Sequence, residues 1–468
     1  SWPLRLSVFA LGFFNGVYAV AAVGSFARLT GVDLAWLYQP LLAFTAAMGA
    51  LSVYALLAPL AASRPLRALA GAIAAQANIV FAYGATGGFK ELSAAVLILL
   101  AAAAVGELRP AEDVVRRAMP SAVAISAALA SFNLTVIPWL AVIVAGYAAL
   151  TLGRRPAAWP RATRTWIALG VLVALLSIPT IIEGTKLAEI AGQAEGSGAT
   201  VLVDLGNLAA PMPVEATVGI WPTGDYRFTT SGAGTLTTVL IVIVLALGLL
   251  GVIVAVRRRE WRVPLLALSA ALALGYFVER TGPWIELKAI SISNPIPLVC
   301  AFAGAAALIA LRGRAARIGA IAGWALALAI AGGVLYGNAL AYHEAAVAPY
   351  ERLRDLERLG ERLEGEGPTL YPAHEDGARK PLAPRHGIEA PVNTIDEVHI
   401  RDPRRAVQRL GAARSPHCSV AGRVVLTDIR LRLHNHSACG PFGASTHENR
   451  PEQLARDDLG FTIVEVLA

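Results

Sequence analysis

The chain has 468 residues, 56% hydrophobic and 16% charged, with a formal net charge of +7 and a mean hydropathy of +0.57. A soluble domain carries roughly 45–50% apolar and about 25% charged residues, so this composition excludes an ordinary soluble globular protein. The positive balance is not a nucleic-acid footprint: the arginines gather in short loops between apolar runs, where Lys and Arg set the orientation of membrane helices.

In chain order, the start "SWPLR" has no Met and no basic region leading to a small-residue cleavage site. No signal peptide is expected, and the chain reads as lacking an upstream part. Eleven apolar spans follow, at 5–28, 37–60, 66–83, 91–106, 118–133, 135–152, 164–183, 236–256, 263–279, 288–311 and 317–340. Each approaches the 20 or so residues that cross a bilayer as a helix. The third carries Gln76 and Asn78, too polar for a lipid-facing helix, and is expected inside the bundle. The fifth and sixth are split by "SFNLTVIP" and are expected to form a tight hairpin.

The basic loops fix the orientation. "SRPLR" (63–67), "RPAEDVVRR" (109–117), "GRRPAAWPRATR" (153–164), "RRREWR" (257–262) and "RGRAAR" (312–317) alternate with loops poorer in Arg. Placing all five in the cytoplasm lets every span cross once. The outward loops are then 29–36, 84–90, 184–235 and 280–287. Only 184–235 is long, and its Pro-, Gly- and aromatic-rich run "PMPVEATVGIWPTGDYRF" is expected to be packed or functional.

Composition changes at 341. "EAAVAPYERLRDLERLGERLEGEG" (344–367) reads as an amphipathic helix ended by glycine, followed by short apolar pieces at 368–371, 423–431 and 461–467. The expected architecture is mainly α. It is a polytopic membrane bundle over 1–340 with about eleven transmembrane helices and a small extracytoplasmic α/β or α+β domain over 341–468. Cys300, inside a span, is a packing residue. Cys418 and Cys439, in the outward tail, leave a disulfide open. With His417, His434, His436 and His447 they also have the types that suit zinc, but their spacing matches no closed zinc pattern, and no metal site is assigned.

Charge at membrane depth marks function by default, whereas charge at a helix end can snorkel to water. Several groups gather at the outer boundary: Lys90 and Glu91, Glu183 and Lys186, Asp225 and Arg227, Glu279 and Arg280, Glu286 and Lys288. At the start of a helix Glu91 suits the macrodipole and Lys90 opposes it; neighbours in sequence do not face each other, so the two are not a pair. Lys90 is therefore an interface anchor or a binding group, and the glycines at 84, 87 and 88 leave room for backbone or ligand. Arg227 is either braced by Asp225 or a binding group. Lys288 precedes "SISNPIP", a polar, Pro-broken segment of the kind tolerated where a helix lines a cavity. Cations at one lipid–water boundary suit an anionic substrate with an apolar tail, such as a polyprenyl phosphate or diphosphate.

The order of "LYQPLLAFTAAMGALSVYALL" (37–57), "SRPLRALAGAIAAQANIVFAYGATGGFKELSAAVLILL" (63–100), "GNLAAPMPVEATVGIWPTGDYR" (206–227), "ELKAISISNPIPL" (286–298) and "NALAYHEAAVAPYERLRDLERLGERLEGEGPTL" (338–370) resembles the GT-C class of polytopic membrane glycosyltransferases, in particular its large actinobacterial-type members. The resemblance implies sugar transfer from a polyprenyl-phosphate-linked donor to a glycan or protein acceptor at the outer face of the plasma membrane. It implies substrate binding by Lys90, Glu91, Trp221, Asp225, Arg227 and Lys288. Lys288 and Arg227, with Lys90 near them, would hold phosphate, and Glu91 and Asp225 would orient those cations or the sugar. The class carries its acidic base in the first outward loop. Here the loop "RLTGVDLAWLYQP" offers only Asp33, so the base is expected upstream and the catalytic residue is left unassigned. A divalent cation is left open as cofactor, and no nucleic-acid partner is expected. The alternative is a non-enzymatic transporter or polysaccharide-assembly membrane protein; the absence of an internal repeat and the clustering of charge at one face argue against a transporter.

Overall fold

The computed structural model describes residues 24, 27–32, 34–108, 112–153, 159–182, 208, 210–222, 224–227, 234–344, 354, 358, 422–427, 430–434 and 464–466. Twelve helices can be followed among them: α1 (Leu34–Leu56), α2 (Arg64–Ala74), α3 (Asn78–Ala85), α4 (Phe89–Gly106), α5 (Val114–Phe132), α6 (Ile137–Gly153), α7 (Trp159–Leu176), α8 (Thr235–Arg257), α9 (Arg262–Arg280), α10 (Pro283–Ser293), α11 (Pro295–Ile309) and α12 (Ala316–Glu344). The chain divides into two units, Ser1–Val347 and Ala348–Ala468.

Seven stretches are long and apolar enough to cross a membrane, or eight if α2 and α3, bent by 48° at their junction, count as one. Of the eleven expected spans, 5–28 lies almost wholly outside the described residues. The expected span 164–183 contains a shorter apolar helix, Ala162–Leu176, and 118–133 and 135–152 fall in one stretch, Val114–Gly153.

That stretch of 40 residues would be about 60 Å long if straight, twice the hydrocarbon thickness. Its contacts show that it folds back. Gly106, the last residue of α4, packs on the Arg262 side chain, and Gly146, near the end of α6, packs on Leu265 one turn further along α9. The end of α4, from which the chain passes to α5, and the end of α6 therefore both lie where α9 begins. The reversal is at Asn133, whose φ of 56° is left-handed, followed by the 3-10 turn Asn133–Val136. Trp139, just past the turn, stacks on Phe277 near the far end of α9, with centroids 5.4 Å apart.

Apolar side chains on α8 and α12, among them Leu236, Val242, Leu249, Ile318 and Ile321, stay exposed. That is the pattern of helices whose solvent is lipid. Inside the bundle, small residues bring backbones together. A side chain on Gly251 would land on the Cys300 carbonyl, and one on Gly304 on the Leu247 carbonyl, so α8 and α11 touch main chain to main chain. Cys300 is buried in this seam with a free thiol. Gly304→Ala is expected to lower the unfolding midpoint in detergent. Overpacking of about 1–3 kcal/mol outweighs the ~1 kcal/mol gain in helix propensity. An unchanged or raised midpoint would show that the seam yields.

In the second unit, β1 (Gly422–Thr427) pairs antiparallel with β2 (Arg430–His434) and with β3 (Val464–Val466), in the order β2-β1-β3. The apolar piece expected at 423–431 is thus β1 and the start of β2. Most of the expected helix at 344–367, together with Cys418, Cys439 and His417, His436 and His447, lies outside the described residues.

Candidate functional site

The basic loop 257–262 meets the chain beside two others, 63–67 and 109–117, at one end of the bundle. Arg258 donates to the Leu60 carbonyl at 3.1 Å, and Arg262 donates to the Gly106 carbonyl and pairs with Glu107. The opposite end is built by the α3–α4 junction, the loop residues 210–222 and 224–227, and α10.

The α3–α4 junction is the stretch "YGATGGFKELS". Gly87 (φ 106°) makes the turn, and the Tyr83 ring fills the space where a Cβ on Gly88 would stand. The reason for Gly88 is therefore the packing of Tyr83; the space its missing side chain leaves is not open to a ligand. Tyr83 lies 5.8 Å from the Tyr226 ring and 6.0 Å from the Trp284 ring, so an aromatic row runs from loop to α10. Lys288, one turn along α10, sets its ammonium 5.2 Å from the Trp284 centroid.

Glu91, in the first turn of α4, is 1% exposed, and neither carboxylate oxygen has a hydrogen-bond partner among the described residues. The charges of Lys90 and Lys288 both act on it. The phenols of Tyr38, Tyr83 and Tyr226 lie within its electrostatic reach. No hydrogen bond joins Lys90 to the Glu91 carboxylate.

Asp225 and Arg227 form the brace expected between them. The Arg227 Nε donates to both Asp225 oxygens at 2.9 and 3.0 Å, and its backbone N–H donates to one of them. Tyr226, between them, exchanges a hydrogen bond of 3.1 Å with the Thr86 hydroxyl. Burial pushes the Tyr226 phenol up from its ordinary pKa, against the hydrogen bond from Thr86 and the charge of Arg227. Trp284, Tyr83 and Tyr226 thus link Lys288 to the segment that carries the Asp225–Arg227 brace.

Trp221 is fixed through its backbone. Its side chain is buried, its Nε1 has no partner among the described residues, and its backbone N–H donates to Asn78 Oδ1 at 2.8 Å. It belongs to a polar knot in the bundle. Asn78 Nδ2 donates to the Val334 carbonyl at 2.8 Å and to Asn338 Oδ1 at 2.6 Å, and Asn338 donates to the Gln76 carbonyl at 2.7 Å. Asn294 Oδ1 accepts from Ile79 and Val80 N–H, and its Nδ2 donates to the Ala216 carbonyl at 2.7 Å. The Asn78 N–H reaches the Gly219 carbonyl at 3.1 Å. The first three N–H groups of α3, orphans at any helix start, are therefore capped by a turn and by a side chain of another helix.

Charge at helix ends singles out the lysines and Glu91 in the sequence. Tyr83, Tyr226, Trp284, Thr86, Asn294 and Asn338 carried no such signal, since each reads as an ordinary aromatic or polar residue until its partners are known. Among the described residues no group of three or more His, Cys, Asp or Glu could hold a metal. Comparison with family models, curated proteins and solved structures returns no match. Chemically, the site offers cations for an anion, a buried carboxylate able to accept from a hydroxyl, and aromatic walls of low polarity.

Proposed function

We propose that the chain is a membrane glycosyltransferase of the GT-C type, moving a sugar from a polyprenyl-phosphate-linked donor to a glycan or protein acceptor. The observation that supports it best is the row Trp284–Tyr83–Tyr226, which has Lys288 beside one end and the Asp225–Arg227 brace beside the other, with buried Glu91 at the α3–α4 junction. In this reading the arginine end is cytoplasmic and the site and tail face outward across a plasma membrane. Lys288, Lys90 and Arg227 neutralise the phosphate, which leaves as the sugar transfers; the lipid chain stays in hydrocarbon. Glu91 orients the lysines or accepts from a sugar hydroxyl. The acid–base residue is not assigned.

One feature favours the transporter or assembly-protein alternative: α2 and α3 form a broken span, as transporters often do around an ion or substrate. At this break, however, Asn78, Asn294, Asn338 and the Gly219 carbonyl already occupy the freed backbone groups. Proteoliposomes supplied with a radiolabelled polyprenyl-phosphate sugar separate the two. Label joined to an acceptor supports transfer; label moved across the bilayer unchanged supports transport.

Orientation is tested on a variant with Cys300, Cys418 and Cys439 replaced. A cysteine at Gly87 should react with a membrane-impermeant maleimide on intact cells, and one at Glu112 only after lysis. The reverse pattern would turn the site to the cytoplasm.

A further inference from the structure

We propose that Asn294 and Asn78 are positioning residues: they anchor the turn Val214–Trp221 to the start of α3, and so fix where Tyr226 and Arg227 meet the α3–α4 junction. The anchor has three attachments. Asn294 Nδ2 holds the Ala216 carbonyl, the Asn78 N–H holds the Gly219 carbonyl, and Asn78 Oδ1 holds the Trp221 N–H. Asn294 is fully buried and Asn78 nearly so, which keeps these hydrogen bonds from competing with water. Gly219 lets the turn close: its φ is 94°, and a Cβ there would stand 2.7 Å from Leu298 and 2.9 Å from the Asn294 carbonyl oxygen.

Four residues beyond Trp221 the chain reaches Asp225, and Tyr226 meets Thr86 on the other side of α3. Both ends of α3 are thus tied to one loop: its start through the asparagines, its end through Tyr226. Asn294 also serves α3 itself, because its Oδ1 caps Ile79 and Val80. One amide bridges the broken span and the loop, so the placement of the α3–α4 junction and that of Tyr226–Arg227 are set together. The proposal rests on the reading above only in taking that site as functional; the anchoring is measured without any activity.

The test is hydrogen exchange of the full chain in lipid nanodiscs. Asn294→Asp keeps an acceptor for Ile79 and Val80, at a helix start that favours a carboxylate, but removes the donor to Ala216. Exchange at 214–221 and at 224–227 should rise about tenfold, the scale of one lost hydrogen bond. The Ile79 and Val80 amides should keep their protection. Gly219→Ala strains the same turn, its Cβ meeting Leu298 and the Asn294 main-chain oxygen while both asparagine side chains stay unaltered, and should give the same pattern; it decides the matter if Asn294→Asp does not fold. Faster exchange at 214–221 with 224–227 unchanged would overturn the proposal, since Tyr226 and Arg227 would then be held independently. A uniform rise across the bundle would also overturn it, as the mark of general destabilisation.

Discussion

On the function proposed above, Lys288→Ala is expected to lower sugar transfer by about 100-fold or more, the usual effect of removing one group that stabilises developing charge. The effect should be this large because Lys288 is half-buried, 5.2 Å from the face of Trp284, and acts on a carboxylate that is 1% exposed. Charge in such surroundings is poorly screened and strongly felt. The loss should fall on kcat as well as on donor KM, since a leaving phosphate gains charge in the transition state. Lys288→Arg should recover only part of it, because a larger, planar guanidinium spreads its charge and does not set it where the compact ammonium stands. Arg280→Ala is the control. Arg280 is exposed, 5.5 Å from the ring of exposed Tyr276, the habit of an interface anchor. Unchanged transfer in Lys288→Ala, or an equal loss in Arg280→Ala, would remove Lys288 from the phosphate.

The contrast between Lys288 and Arg280 shows what the sequence could and could not convey. Both stand at the end of an apolar run, so both are visible as charge at a boundary. Their difference lies in what surrounds them, and that is set by helices distant in the chain. The spans themselves were legible because a lipid-exposed helix must be apolar along its length. The reversal at Asn133 was legible for a similar reason: "SFNLTVIP" interrupts such a run with residues that favour turns. The break between α2 and α3 was half visible. Gln76 and Asn78 announced burial, but nothing nearby shows that Asn294 caps the second half, because that partner lies 215 residues away. Tyr226 was hidden between two charged residues that drew attention to themselves.

The largest stability effect is expected at Asn78. Asn78→Leu keeps the branching of the side chain but leaves the Trp221 N–H and Asn338 Oδ1 without their partner and removes the second bond to the Val334 carbonyl. Each buried orphan costs about 1–3 kcal/mol, so a total of at least ~2 kcal/mol is expected. Little can relax to recover it. Gly337 packs against the Asn78 amide so closely that a Cβ would come within 2.5 Å, which leaves no room for branched methyls. Asn338→Leu should cost less, since it strands only Asn78 Nδ2, which keeps Val334, and the Gln76 carbonyl. The two residues share a hydrogen bond of 2.6 Å, so the double variant should be less destabilised than the sum of the singles. Denaturant unfolding in one detergent measures all three. Equal and additive losses would mean that the Asn78–Asn338 bond contributes nothing, and that the broken span is held by the turn at Gly219 and by Asn294 alone.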